Sequence, residues 1–232
     1  MTVAAKLTPS PEVLDLWRNA QAVCFDVDST FCSDESIDEI AAYLGVGDQV
    51  AALTAKAMGG AVKFQDALAE RLNLMNCSRQ QLDSFLKAHP PQYSPGIPEL
   101  VAKLQQQGKA VFLVSGGFRQ VIHPIAEALG IPLSHVYANQ LLFKEDGSYA
   151  GFDAEEFTSR SGGKAEAVRD IKVKFGYQRI VAVGDGATDM EARQPDAANI
   201  FIGYGGVVER LNIAAQADWY VYDIHVLLEA LQ

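Results

Sequence analysis

An apolar run, Ala22-Val23-Cys24-Phe25, ends in two aspartates one residue apart, Asp26-Val27-Asp28. No other stretch constrains the fold as tightly. The run has the length and composition of a buried strand, read here as Ala22 to about Val27. Carboxylates at the end of such a strand lose hydration and repel each other. They persist only where something offsets both costs, and a cation placed for chemistry at the strand's carboxyl end does so.

The pattern after this strand is helical from about Glu35 to Lys87. Ile37, Ile40, Ala41 and Leu44 share one face, as do Val50, Leu53, Ala57 and Met58, and then Phe64, Leu68, Leu72 and Met75. Gly45 and Gly59-Gly60 end the first two segments, and Ser78 with Gln81 forms a capping box before another helix. Pro90-Pro91 and Ser94-Pro95-Gly96 close the region. Residues 33–91 therefore read as an inserted helical cap, with residues 1–32 and 92–232 as the core.

Within the core, a helix is expected from Pro11, capped by Ser10, to Ala20, and others over Ile97–Gln107, up to Leu129 with Pro124 inside, and over Gly163–Phe175. Strands are expected over Ala110–Val114, Ile180–Val183, Ile200–Ile202 and Trp219–Tyr222, and a hairpin over His135–Phe152 around Glu145-Asp146-Gly147. Strand–helix alternation with short connections predicts an α/β fold, a doubly wound parallel Rossmann-like sheet with the helical cap and a small β-hairpin as additions. Its ligand should sit at the carboxyl ends of the strands.

Four motifs fall at those ends: Asp26, Asp28 and Thr30; Ser115, Gly116 and Gly117; Lys164 after Ser161-Gly162-Gly163; and Asp185, Thr188 and Asp189. Four aspartates beside one lysine would repel an anion unless a divalent cation joined them. A donor set of carboxylates without Cys or His suits a hard ion such as Mg²⁺ rather than zinc. The Ser115 hydroxyl, the unhindered amides of Gly116 and Gly117, and the Lys164 ammonium together suit a phosphate.

In their order and spacing these motifs resemble the haloacid dehalogenase superfamily. Its Asp-x-Asp-x-Thr signature corresponds to Asp26-Val27-Asp28-Ser29-Thr30, and the later motifs to Ser115, Lys164 and Gly184-Asp185-Gly186-Ala187-Thr188-Asp189. The resemblance spans nearly the whole chain and includes the helical cap. Ala57-Met58-Gly59-Gly60 and Val114-Ser115-Gly116-Gly117-Phe118-Arg119 resemble the members that act on a small amino-acid phosphate. The resemblance implies Mg²⁺-dependent hydrolysis of O-phospho-L-serine through an aspartyl-phosphate, the last step of serine biosynthesis. Asp26 would be the nucleophile and Asp28 the general acid and base. Asp26, the Asp28 carbonyl and Asp185 would hold the metal, with Asp189 behind them. Ser115, Gly116, Gly117, Lys164 and Thr188 would bind phosphate or substrate. Glu35 would take the ammonium, Arg71 the carboxylate, and Met58, Gly59 and Phe64 would line the pocket.

Other classes fit less well. A related phosphomonoesterase, or a transferase passing the phosphoryl group to another hydroxyl, shares every motif. A phospho-accepting receiver domain is shorter and has no helical insertion. The formal charge of −10 argues against nucleic acid or an anionic membrane as the main partner. No run reaches the roughly 18 apolar residues of a membrane span. The three cysteines, Cys24, Cys32 and Cys77, read as reduced thiols. Residues 1–11 resemble neither a signal peptide nor a transit peptide, so the expectation is a cytoplasmic enzyme, with a mature organellar form and a homodimer left open.

Overall fold

The computed structural model describes residues 6–58 and 63–232, the side chains of residues 57 and 58 excepted. Eight strands are numbered along the chain: β1 (Ala22–Phe25), β2 (Ala110–Phe118), β3 (Val136–Asn139), β4 (Leu141–Phe143), β5 (Tyr149–Phe152), β6 (Ile180–Gly184), β7 (Ile200–Tyr204) and β8 (Trp219–Val221). Six form one sheet in the order β3-β2-β1-β6-β7-β8, and β4 pairs with β5 alone. Every pairing in the large sheet is parallel, with Ala22 opposite Ala110 on one side and Ile180 on the other. β1 is thus central, and all four of its residues are buried. That explains an unbroken apolar run where a half-exposed strand would alternate.

Alternate residues of β1 serve two different layers. Val23 and Phe25 pack with α1 (Pro11–Arg18), α6 (Ile97–Gln106), α7 (Arg119–Ala128) and α11 (His225–Glu229). Ala22 and Cys24 pack with α8 (Gly163–Phe175) and α10 (Leu211–Gln216). The parallel sheet covered on both faces is the predicted architecture. Ser10 accepts the Val13 amide at 3.3 Å to cap α1, as its sequence suggests.

Between β1 and β2 lie α2 (Ser36–Tyr43), α3 (Gly47–Met58), α4 (Phe64–Met75) and α5 (Arg79–Ala88). They share a third apolar cluster built on Ile40, Val50, Leu68, Leu72, Leu82 and Phe85. Leu141, Phe143, Tyr149 and Phe152 of the β4–β5 hairpin pack on it. The chain leaves and re-enters the sheet layer at one place. Cys32 bridges Tyr93, the Ser33 amide donates to the Gln92 carbonyl at 2.8 Å, and the Ser94 amide donates to the Phe31 carbonyl at 3.0 Å. The Ser78–Gln81 capping box is present at the start of α5.

Several expected boundaries shift. β1 stops at Phe25, not Val27, because the backbone then winds into a wide turn. The Phe31 amide reaches the Asp26 carbonyl and the Cys32 amide the Val27 carbonyl, with Ser29 at φ +55°. α1 ends at Arg18 rather than Ala20. β2 runs past Val114 through Ser115-Gly116-Gly117 to Phe118. The first arm of the expected hairpin is a sheet strand instead: β3 pairs with β2, Leu113 opposite Val136, and only residues 141–152 form the hairpin. α10, α11 and the single turn α9 (Ala187–Met190) were not anticipated. At four to six residues they are too short to show a period.

Candidate active site

The carboxyl ends of β1, β2 and β6 open on a cavity of about 360 Å³. Asp26, Asp28, Glu35, Phe64, Arg71, Gly116, Gly117, Lys164, Asp185, Thr188 and Asp189 all line it, so residues far apart in sequence meet in one space. Ser115 lies just beneath, fully buried, its Oγ accepting the Gly117 amide at 2.9 Å. Of the expected set, Gly59 lies outside the described residues, as does the side chain of Met58.

At the centre, Lys164 Nζ lies 2.8 Å from Asp26 Oδ1 and 2.6 Å from Asp189 Oδ1. Burial opposes charge on Lys164, but Asp189 and Asp26 outweigh it and the ammonium titrates above its ordinary range. Burial and the charge on Asp26 push the Asp189 carboxyl upward while Lys164 pulls it down. A cation at this distance favours the ionised acid, and we take the pair as charged. The second Asp189 oxygen accepts the Gly186 amide at 3.0 Å, so both oxygens are occupied. Lys164 arrives at the start of α8, and Gly163 ahead of it lies so close to the Phe157 carbonyl that a side chain would collide with it.

The remaining carboxylates are held separately. Asp185 accepts Arg210 Nε at 2.9 Å and Thr30 Oγ1 at 3.4 Å, and burial raises its pKa, with Asp26 adding to the rise. Asp28 accepts the Ser36 amide at 2.9 Å and the Ser36 hydroxyl at 3.2 Å. Burial pushes its carboxyl up to about 7; Asp26 adds to the rise, and the Ser36 amide pulls against it. Glu35 accepts the Ser29 hydroxyl at 2.6 Å, and burial raises its pKa against that bond. Asp26, Asp185 and Asp189 bring ligand oxygens within 4.8 Å of one another, close enough for one metal ion. All are hard carboxylate donors, and four neighbouring acids, Asp28, Glu35, Asp185 and Asp189, are lifted by the charge on Asp26, a crowding that a divalent cation would relieve.

Opposite this cluster stands Arg71. It is half-buried, and burial lowers its pKa. No described carboxylate lies within ion-pair distance of it. The sequence did not single out Arg210, Ser36, Asn139 or Thr158. Asn139 donates to the Gly116 carbonyl at 2.8 Å and accepts the Thr158 hydroxyl at 3.1 Å, fixing the β2 end against the loop that leads to Lys164. The signal available was position: Asn139 ends β3, and Arg210 follows the carboxyl end of β7.

Gly184 is sterically required. A Cβ on Gly184, the last residue of β6, would overlap the Asp189 carboxyl. Gly184→Ala is expected to lower Tm by on the order of 5 °C through overpacking. A thermal melt unchanged from wild type would contradict that packing.

A sheet of this order, a helical insertion after β1, and an aspartate pair facing a lysine and a second acidic cluster define a hydrolase class. Residues 20–194 match the model of the haloacid dehalogenase-like hydrolases, and the chain belongs to that family. It is accordingly an enzyme, and the receiver-domain alternative falls away. It is 52% identical over 225 residues to the chloroplastic phosphoserine phosphatase of Arabidopsis thaliana, covering 97% of this chain and 76% of that protein. It is 49% identical to the phosphoserine phosphatase of Bos taurus, covering 95% of this chain and 97% of the relative. A solved structure of a phospho-aspartyl intermediate analogue of phosphoserine phosphatase superposes with a TM-score of 0.76 at 28% identity, covering 92% of this chain and 99% of that one.

Proposed function

We propose that the protein hydrolyses O-phospho-L-serine to L-serine and phosphate, the reaction that ends serine biosynthesis. The observation that carries the reading is the Arg71 guanidinium, which has no ion-pair partner among the described residues. It shares one cavity with the Glu35 carboxylate and the Asp26–Lys164 pair. A phosphate, an ammonium and a carboxylate on one small molecule match Lys164, Glu35 and Arg71 in turn. The similarity to phosphoserine phosphatases supports the same substrate.

Asp26 attacks phosphorus, forming an aspartyl-phosphate while the bond from phosphorus to the serine oxygen breaks. Asp28 delivers a proton to that leaving oxygen. In the second half a water attacks phosphorus, Asp28 takes its proton, and the bond to Asp26 breaks to restore the carboxylate. An Asp28 carboxyl that titrates near neutrality suits both duties. Lys164, the Ser115 hydroxyl and the Gly116 amide bind the phosphoryl oxygens and stabilise charge developing on them, while the Gly117 amide holds the Ser115 oxygen. Thr188, at the mouth, and Phe64 bound the pocket. Asp189, engaged by both Lys164 and the Gly186 amide, orients the lysine.

Mg²⁺ would be held by Asp26, the Asp28 carbonyl and Asp185, and would neutralise phosphoryl charge when bound. Added to metal-free protein it is expected to raise Tm by on the order of 5 °C near saturation. Asp185→Asn should abolish that rise, and a shift retained in the variant would remove Asp185 from the ligand set.

We assign residues 33–91 to a cap that selects the substrate and the rest to the core. The free, buried Cys24, Cys32 and Cys77 suit a reducing compartment, which we take to be the cytoplasm. Among the described residues no helix is long and apolar enough to cross a membrane. The test of function is phosphate release from O-phosphoserine, O-phosphothreonine and phosphoglycolate, with and without Mg²⁺. O-phosphoserine should give the highest kcat/KM. Equal turnover of phosphoglycolate, which has no ammonium, would point instead to a broader phosphomonoesterase.

A further inference from the structure

Arg71 does not stand free in the cavity, although no acid holds it. Its Nε donates to the Ala67 carbonyl one turn earlier in α4, at 3.2 Å. Its Nη1 donates across to the Thr54 hydroxyl of α3, at 3.4 Å. The Thr54 hydroxyl also bonds the Val50 carbonyl at 3.1 Å. Proton counting fixes the direction of this chain. A guanidinium has no acceptor and keeps its protons at any working pH, so Thr54 must accept from Arg71. Its single proton is then committed to Val50. The hydroxyl cannot rotate to serve another partner, and it points a lone pair at Arg71.

The two contacts engage Nε and one hydrogen of Nη1. Both hydrogens of Nη2 and the second hydrogen of Nη1 have no partner among the described residues. Nε is spent on the α4 backbone, so a carboxylate must be met by the two terminal nitrogens. A long side chain with several rotors would otherwise lose much of its freedom on binding. Holding it beforehand removes part of that cost. We propose that Thr54 is a positioning residue for substrate recognition, setting the Arg71 guanidinium to receive the carboxylate of the amino-acid phosphate. The proposal rests on the phosphoserine reading of the site. It adds a residue on a different helix, outside the cavity lining, whose link to substrate among the described residues runs through Arg71.

The test compares O-phosphoserine with O-phosphoethanolamine, which keeps the phosphate and the ammonium but lacks the carboxylate. Thr54→Val preserves shape and removes the hydroxyl. It should raise KM for O-phosphoserine between about two- and tenfold, the cost of ordering one long side chain on binding, with kcat unchanged. KM for O-phosphoethanolamine should not move. Thr54→Ser, which restores the hydroxyl, should return KM to near the wild-type value. In an Arg71→Ala background, Thr54→Val should add nothing. If Thr54→Val is too unstable to assay, Thr54→Ala read against Thr54→Ser carries the same comparison.

Equal rises in KM for both substrates would show a purely structural role and overturn the proposal, as would an unchanged KM for O-phosphoserine. The wild-type protein in the same assay separates this from the parent reading. A wild type with no preference for O-phosphoserine over O-phosphoethanolamine would overturn both. A preference that survives Thr54→Val would overturn the role of Thr54 alone.

Discussion

Asp26→Asn is expected to lower kcat by about four orders of magnitude while leaving the folded protein intact. Asp26 Oδ1 already accepts the Val27 amide at 2.7 Å and lies 2.8 Å from Lys164 Nζ. An asparagine would turn its carbonyl oxygen toward those two donors. Its amide nitrogen would then occupy the place of the other oxygen, where it can neither attack phosphorus nor bind a metal. Stability carries two opposed effects, since the Lys164 contact is lost while neighbouring acids are relieved. The charge on Asp26 raises Asp28, Glu35, Asp185 and Asp189, so ionising each costs stability in the folded state. A group raised by folding costs no stability below its unfolded pKa and its full cost above its folded one. For Asp28 that window runs from 3.8 to about 7. In metal-free buffer, loss of the Lys164 contact should lower the Tm of Asp26→Asn at both ends of this window, and the deficit against wild type should be smaller near pH 8 than near pH 4. A variant that is unfolded at pH 8 would show that the carboxylate is needed for folding. Its lost turnover would then say nothing about a nucleophile.

The central strand and its two aspartates were legible because burial leaves such carboxylates few alternatives. The same logic reached Ser115, Lys164 and Asp185, each at the end of an element with strong periodicity. What stayed hidden was reached by other routes. Arg210 comes from a loop beyond the core of any motif, and its role is visible only through its contact with Asp185. Ser36 opens α2 and reads as an ordinary helix-start serine until its amide and hydroxyl are seen on Asp28. The misreading of β3 as a hairpin arm has a similar cause. Residues 136–139 and 141–143 are separated by Gln140 alone, and one intervening residue does not reveal that the first run joins a parallel sheet while the second turns back. Pairing partners are non-local, and local pattern cannot choose between them.

Arg71→Ala is expected to raise KM for O-phosphoserine between about 10- and 150-fold, the loss of a charge-assisted contact of about 1.5–3 kcal/mol. Arg71 is a half-buried guanidinium whose burial lowers its pKa, and Asp38 and Glu35, both beyond ion-pair distance, offset that desolvation cost only in part. Such a group is retained where a ligand supplies the missing charge. Removing it should leave the free energy of unfolding within about 1 kcal/mol of wild type, because no ion pair is broken. kcat should change little, since the substrate carboxylate lies away from the phosphorus and is bound alike in ground and transition states. The effect should also be confined to substrates with a carboxylate: KM for O-phosphoethanolamine should stay within about twofold of wild type. Arg71→Lys separates charge from shape. A lysine offers a point charge without the paired terminal nitrogens, so it should recover only part of the loss. Full recovery by lysine would mean that charge alone binds the carboxylate, and the two-nitrogen contact would have to be abandoned. A KM rise shared equally by O-phosphoethanolamine would remove Arg71 from carboxylate recognition and return the choice of substrate to the rest of the cavity.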